Sequence, residues 1–176
     1  MNVIVAVDAE WGIGNKGDLL ARVKEDLQQF ARLTTGKTVV LGSNTLATFP
    51  GGRVLKDRRN IVLNPDLDYA PEGAVVAHSL DELFDLLKKF ENEGLSSEDV
   101  FIIGGASVYR QMLPYCDKAY ITKFKKSFEK DVYFKLQVIN EQKYLQISGK
   151  EIDFYHTTSK IDSKGRCIIP KEARDK

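Results

Sequence analysis

Within RVKEDLQQFARLTTGK, residues 22–37, one carboxylate is out of place. At about 3.6 residues per turn, a helix here puts Val23, Leu27, Phe30 and Leu33 on one side, and Asp26 falls inside that apolar arc. An acid shielded from water can hold a proton near neutral pH and pass it to a reacting group. The helix dipole offers a plainer account, since acids are favoured in a first helical turn, and Glu25 fits it. Glu25, however, is turned about 100° from Asp26, towards the polar side. Position alone leaves both accounts of Asp26 open.

Backbone features carry the next signals. VFIIGGASVYRQML (100–113) reads as a buried strand running into Gly104 and Gly105 and then a helix. Two glycines at such a junction let a ligand approach the backbone, and the helix start offers N–H groups to a phosphate. A tight turn that merely needs positive φ is the alternative, and the spacing is not the GxGxxG fingerprint. TVVLGSNTL (38–46) repeats the arrangement: Gly42 ends a strand, and Ser43, Asn44 or Thr45 is placed to cap a helix or hold an anion. Two junctions at the carboxyl ends of strands in one sheet point to an extended, phosphate-bearing ligand. EWGIGNKGDLL (10–20) holds Gly12, Gly14 and Gly17 in one connection, which suits either a mobile loop that closes over a site or a loop that simply turns. Trp11 fits packing and function equally. In LKDRRNIVL (55–63), Arg58 and Arg59 precede a buried strand, where a guanidinium either pairs bidentately with a carboxylate or is solvated. His78 and His156 have no partners that sequence identifies, no serine sits in a GxSxG elbow, and KFKKSFEK (123–130) reads as a solvated strand and turn.

These residues need a scaffold, and the chain alternates. Apolar, β-branched runs recur at 3–7, 38–41, 60–63, 74–77, 100–103 and 119–124, mostly continuous, as in parallel strands covered on both faces. Between them lie helical segments from Lys24 to Leu33, after Ser43, from Ser79 to Gly94 and from Ala106. The third has Ser79 as N-cap, Glu82 completing a capping box and Gly94 as stop. DVYFK, YLQISGKEID, FYHTTSK and GRCIIPK carry strand-like residues without helices between them, which predicts an antiparallel edge.

Composition limits the function classes. A chain of 176 residues is expected to form a single domain over 1–176, and 43% hydrophobic with 29% charged residues excludes disordered and fibrous classes. A net charge of +1 provides no global field for nucleic acid or anionic membrane. Cys116 and Cys167 lie far apart without metal-ligand spacing, so no metal site is expected and a reduced, cytoplasmic protein is. The N-terminal apolar run stops at Asp8, too short for a signal peptide or a membrane span.

Taken in order, IVAVDAEWGIG, KEDLQQFARLTTGKTVVLGSNT, RRNIVL, VFIIGGASVYRQMLP and AYITKF resemble the bacterial dihydrofolate reductase family from Met1 to about Phe134. Alternation and resemblance together predict an α/β three-layer sandwich: a mostly parallel central sheet of about eight strands with an antiparallel C-terminal edge. The resemblance implies NADPH-dependent reduction of 7,8-dihydrofolate to tetrahydrofolate, feeding one-carbon metabolism and thymidylate synthesis, by a monomer whose partners are dihydrofolate and antifolates. It makes Asp26 the acid that promotes protonation of the pterin N5, and Thr122 the hydroxyl bonded to that carboxylate. Ile4, Ala6, Leu27, Phe30, Phe49 and Ile103 would wall the substrate rings, and Arg58 would clamp the glutamate α-carboxylate. The cofactor would contact Ala6, Ile13, Gly14, Gly42, Ser43, Asn44, Thr45, Leu63 and His78, then Ile103, Gly104, Gly105, Ala106, Ser107, Val108, Tyr109 and Gln111. In that family the two glycines are joined by a cis peptide, and the loop from Gly12 to Leu20 is the lid.

The chain departs from the family in two places. Many members have Pro-Trp in the lid where this chain has Leu20 and Ala21. Many carry arginines for the 2′-phosphate of NADPH where Ser43 and Ser107 stand, so NADH use is expected beside NADPH, with His78 or a nearby lysine compensating. Two rival readings follow. One is a same-fold reductase, such as the riboflavin-pathway pyrimidine reductase, against which Asp26 with Thr122 argues. The other is a non-catalytic folate- or nucleotide-binding relative.

Overall fold

The central apolar strands are covered on both faces, whereas Val75, on the edge strand over residues 74–77, is exposed. The structure, a computed structural model, describes residues 1–134, 137–138, 145–148, 153–161 and 166–167. In chain order the elements are β1 (Asn2–Val7), β2 (Gly12–Asn15), β3 (Asp18–Leu19), α1 (Lys24–Thr34), β4 (Thr38–Gly42), α2 (Ser43–Ala47), β5 (Arg59–Leu63), β6 (Ala74–Ala77), α3 (Leu80–Asn92), β7 (Val100–Gly104), α4 (Ala106–Met112), β8 (Lys118–Phe124), β9 (Val132–Tyr133), β10 (Gln137–Val138), β11 (Leu145–Ser148), β12 (Asp153–Lys160) and β13 (Arg166–Cys167). One sheet runs β11-β12-β8-β1-β7-β4-β5-β6. From β8 to β6 neighbours are parallel, while β12 and β11 add antiparallel strands at one edge. This is the expected sheet, but two of the four C-terminal segments lie outside it: β9 of DVYFK pairs antiparallel with β2, and β13 of GRCIIPK pairs parallel with β10. Of the C-terminal strand reading, residues 135, 144, 149–152, 165 and 168–171 lie outside the described residues.

Alternation along the strands divides the core. Val3, Val5, Val7, Val40, Ile61 and Ile102 pack with Leu83, Leu87 and Phe90 of α3 and Val108 and Met112 of α4. On the other face Ile4, Val39, Leu41, Val62 and Phe101 pack with Leu46 of α2 and with Phe30 and Leu33 of α1. Helices on both faces therefore explain why neither strand face reads as polar. Ser79 caps α3 by accepting the Glu82 N–H at 3.1 Å, and Glu82 Oε2 returns to the His78 N–H at 2.7 Å, one residue before the cap itself. Among the described residues no helix is long and apolar enough to cross a membrane.

Candidate active site

The apolar arc of α1 does not face a closed core. Leu27, Phe30 and Leu33 line a cleft of about 1070 Å³ that opens at the carboxyl ends of the central strands, where ligands bind in α/β sheets. Of the α1 residues, only Thr34 is fully buried. Asp26 is half-buried on the same wall, and its Oδ1 accepts a hydrogen bond of 2.5 Å from Thr122 Oγ1. Thr122 is buried in β8, where it pairs with Ala6 of β1. Burial pushes the Asp26 carboxyl above the usual carboxylate range, and the Thr122 hydroxyl offsets only part of that. A raised pKa means that the fold favours the protonated acid. This contribution is complete below the ordinary carboxylate pKa and is lost as pH rises through the raised one. Asp26→Asn is therefore expected to raise Tm by a few degrees in mildly alkaline buffer, with the gain vanishing in acid, as thermal melts across pH would show.

Opposite Asp26 stands the glycine junction. Between β4 and β7 the register slips, Val40 pairing with Ile102 and Leu41 with Gly104, so Ile103 is left out of the ladder and lines the cleft. Gly104 has φ +128°, and the Gly104–Gly105 peptide is cis. A Cβ on Gly105 would lie 3.1 Å from Thr45 Oγ1, and one on Gly42 3.3 Å from Val108 Cγ2, so the two junctions lean on each other. Tyr109 is buried and donates its hydroxyl to Ile4 O at 2.7 Å, tying α4 to β1. The first bond of α4 runs from the Tyr109 N–H to Gly105 O. The N–H groups of Ala106, Ser107 and Val108 therefore have no acceptor inside the helix.

The remaining candidates converge on this cleft. Ile4, Ala6, Ile13, Gly14, Ser43, Asn44, Thr45, Phe49, Leu63, His78 and Gln111 all line it. Gln111 Nε2 donates to Ser107 O and Oγ at 3.2 and 3.0 Å. His78 Nδ1 lies 2.9 Å from Asn64 O. A carbonyl only accepts, so Nδ1 carries the proton and Nε2 is left for a ligand. Arg58 is the exception: it sits behind Phe30, its Cζ 5.9 Å from that ring. Its Nε donates to Thr34 Oγ1 at 2.9 Å and its Nη1 to Lys56 O at 2.7 Å. Among the described lining residues there is no lysine or arginine.

Two expectations need correction. The glycine-rich lid is a hairpin: β2 and β3 pair Asn15 with Asp18 across Lys16 (φ 50°) and Gly17 (φ 81°). Positive φ at both central residues is the twist-matched two-residue turn. KFKKSFEK is solvated only in part: Lys125, Lys126, Ser127 and Glu129 are exposed, whereas Lys123, Phe124 and the Lys130 side chain are not. Lys123 is buried in β8 with Nζ 4.9 Å from the Trp11 ring centroid, which also settles Trp11 as a packing residue. Lys130 is buried and ion-paired to Asp8 and Glu10. The sequence signal for that pair was Asp8, an acid directly continuing a buried strand. Leu20 and Ala21 line the cleft where many relatives have Pro-Trp.

The chain is similar to known proteins over most of its length. The model of the family described as dihydrofolate reductase matches residues 1–162. Dihydrofolate reductase of Staphylococcus haemolyticus is 36% identical over 148 residues, covering 84% of this chain and 82% of that one. The Bacillus subtilis (strain 168) enzyme is 34% identical over 134 residues, covering 76% and 74%. A solved structure of dihydrofolate reductase from Enterococcus faecalis, complexed with NADP(H) and RAB-propyl, superposes with a TM-score of 0.75 at 29% identity, covering 92% of this chain and 96% of that one. With the acid, the hydroxyl and the paired glycine junctions in one cleft, the match over nearly the whole chain places this protein in the dihydrofolate reductase family.

Proposed function

We propose that the protein reduces 7,8-dihydrofolate to 5,6,7,8-tetrahydrofolate with NADPH. The observation that carries this reading is a half-buried Asp26, bonded to Thr122, beside the apolar walls Leu27, Phe30 and Ile103 of a cleft that also holds the Gly104–Gly105 junction. The cofactor, when bound, supplies a hydride to the pterin C6. Its phosphates fit the donor set: unpaired N–H groups at the start of α4 and close backbone approach at Gly42, Gly104 and Gly105. Asp26, whose carboxyl burial raises above the usual carboxylate range, promotes protonation at N5 and so makes the N5=C6 imine electrophilic. Leu27, Phe30, Phe49 and Ile103 exclude water and fix the rings face to face. Arg58 keeps part of its donor fork for a carboxylate at the outer rim, beyond Phe30. Loss of reduced-cofactor absorbance on adding dihydrofolate, blocked by methotrexate, tests the reading. Binding without turnover would favour a non-catalytic relative, and neither would favour a reductase of another substrate.

Cofactor preference follows from charge. With Ser43 and Ser107 at the places where many relatives have arginine, and no lysine or arginine among the described lining residues, the 2′-phosphate loses charge-assisted contacts of about 1.5–3 kcal/mol each. His78 Nε2 replaces at most one of them. Comparable kcat/KM values for NADPH and NADH are expected, within about tenfold. A preference for NADPH beyond about a hundredfold, measured in the same assay, would overturn this.

A further inference from the structure

The root of the lid is built around an ion triad of buried Asp8, the covered side chain of Lys130 and exposed Glu10. Asp8, fully buried just after β1, accepts the N–H groups of Glu10 and Gly12 on Oδ1 at 2.9 and 2.8 Å. Its Oδ2 accepts the Phe128 N–H at 3.0 Å and lies 2.6 Å from Lys130 Nζ. Lys130 Nζ also reaches Glu10 Oε2 at 2.7 Å and donates to Phe128 O at 2.8 Å, so its three donors are all used. Burial alone would raise the Asp8 carboxyl, yet Lys130 and the three N–H donors together hold it below the usual range. The Lys130 stem runs flush against the backbone: a Cβ on Gly12 would lie 2.1 Å from its Cδ.

Beyond this root the lid is held more lightly. Asp131 joins it twice, accepting the Lys16 N–H at 3.0 Å and donating to Gly14 O at 3.1 Å, and β9 pairs with β2. The tip around Gly17 has open space, and Asp18 and Leu19 are exposed. Ile13, Gly14, Asn15, Leu19 and Leu20 nevertheless form one wall of the cleft. The direction in which that wall leaves the sheet is set at Asp8, Glu10 and Gly12, and all three touch Lys130 or its partner carboxylate.

We propose that Lys130 is a positioning residue for the lid: by clamping the carboxylates of Asp8 and Glu10 it fixes the path of β2 and β3 along the cofactor half of the cleft. The proposal takes the cleft to be the cofactor and dihydrofolate site. In the full-length protein, Lys130→Met keeps the stem and removes the charge, leaving two acids without their cation. Amide hydrogen exchange over residues 12–20 is expected to quicken at least tenfold while exchange in β4 and β5 stays unchanged, and the dissociation constant and KM for NADPH rise about tenfold. The pH dependence of kcat should not move, since Asp26 is untouched. Lys130→Arg should restore most of both. Gly12→Ala, which leaves every charge in place, pushes chiefly on the Lys130 stem, with Leu20 Cδ1 the next contact at 3.1 Å, and should reproduce the exchange change. Uniform quickening across the sheet, or unchanged exchange over 12–20, would overturn the proposal. If Lys130→Met does not fold, Glu10→Gln decides: about threefold faster exchange confined to 12–20 supports the clamp, and none refutes it. Exchange is measured without substrate, so it stands apart from whether dihydrofolate is reduced.

Discussion

Asp26→Asn is expected to lower the rate of dihydrofolate reduction by about 10²–10⁴-fold at neutral pH, the usual contribution of a positioned proton donor. The substitution is close to isosteric and retains an oxygen to accept the Thr122 hydroxyl, so the wall formed with Leu27 and Phe30 stays in place. What is lost is a group that titrates. In the proposed mechanism the protonated carboxyl is the competent form, and burial has raised its pKa. Activity should therefore be high on the acid side and fall as pH rises through that raised value. The variant has no such group at this position, and its rate should climb only where solvent acid protonates the substrate. The two pH profiles of kcat/KM should thus converge in acid and separate at neutral and alkaline pH. Parallel profiles would remove Asp26 from the proton path.

The same carboxylate shows what a linear reading resolves. Helical periodicity located Asp26 on the face of Leu27 and Phe30, but a cleft wall and a core-facing stripe have the same period of 3.6, so pattern alone could not tell them apart. The central strands were legible because burial on both faces leaves an uninterrupted apolar run, as in β4 and β7. The lid hairpin was not, since Gly12, Gly14 and Gly17 erase the alternation that marks a strand, and its turn is set by positive φ at Lys16 and Gly17. Lys130 was illegible for a different reason. Its neighbours Lys125 and Lys126 make it one member of a basic run, and although Asp8 directly continues a buried strand, nothing local says that Lys130, far along the chain, is its partner. Pairings of high sequence separation appear only when the fold closes, whereas Ser79 and Glu82, three residues apart, could be read directly.

Gly104→Ala is expected to cut NADPH affinity and kcat/KM by at least tenfold and to lower Tm by about 2–10 °C, as a cost of about 1–3 kcal/mol implies for a chain of this size. The reason lies in the backbone. At φ +128° Gly104 occupies a region that L side chains rarely adopt, while an added Cβ would meet the Tyr109 hydroxyl at 3.4 Å and Thr45 Oγ1 at 3.5 Å, both ordinary contacts. Relief must come from rotation of the backbone between Ile103 and Ala106. That rotation moves the Ile103 side chain at the ladder slip and tilts the N–H groups that open α4, so both halves of the cleft lose their alignment. Gly36→Ala provides the control. Gly36 also has positive φ, +77°, with nothing near its Cβ, and it lies outside the lining of this cleft. It should lower Tm and leave NADPH binding unchanged, as titration of cofactor fluorescence alongside thermal melts would reveal. Equal effects of the two substitutions on binding would reduce the Gly104 result to general strain; a loss confined to Gly104→Ala ties that conformation to the cofactor.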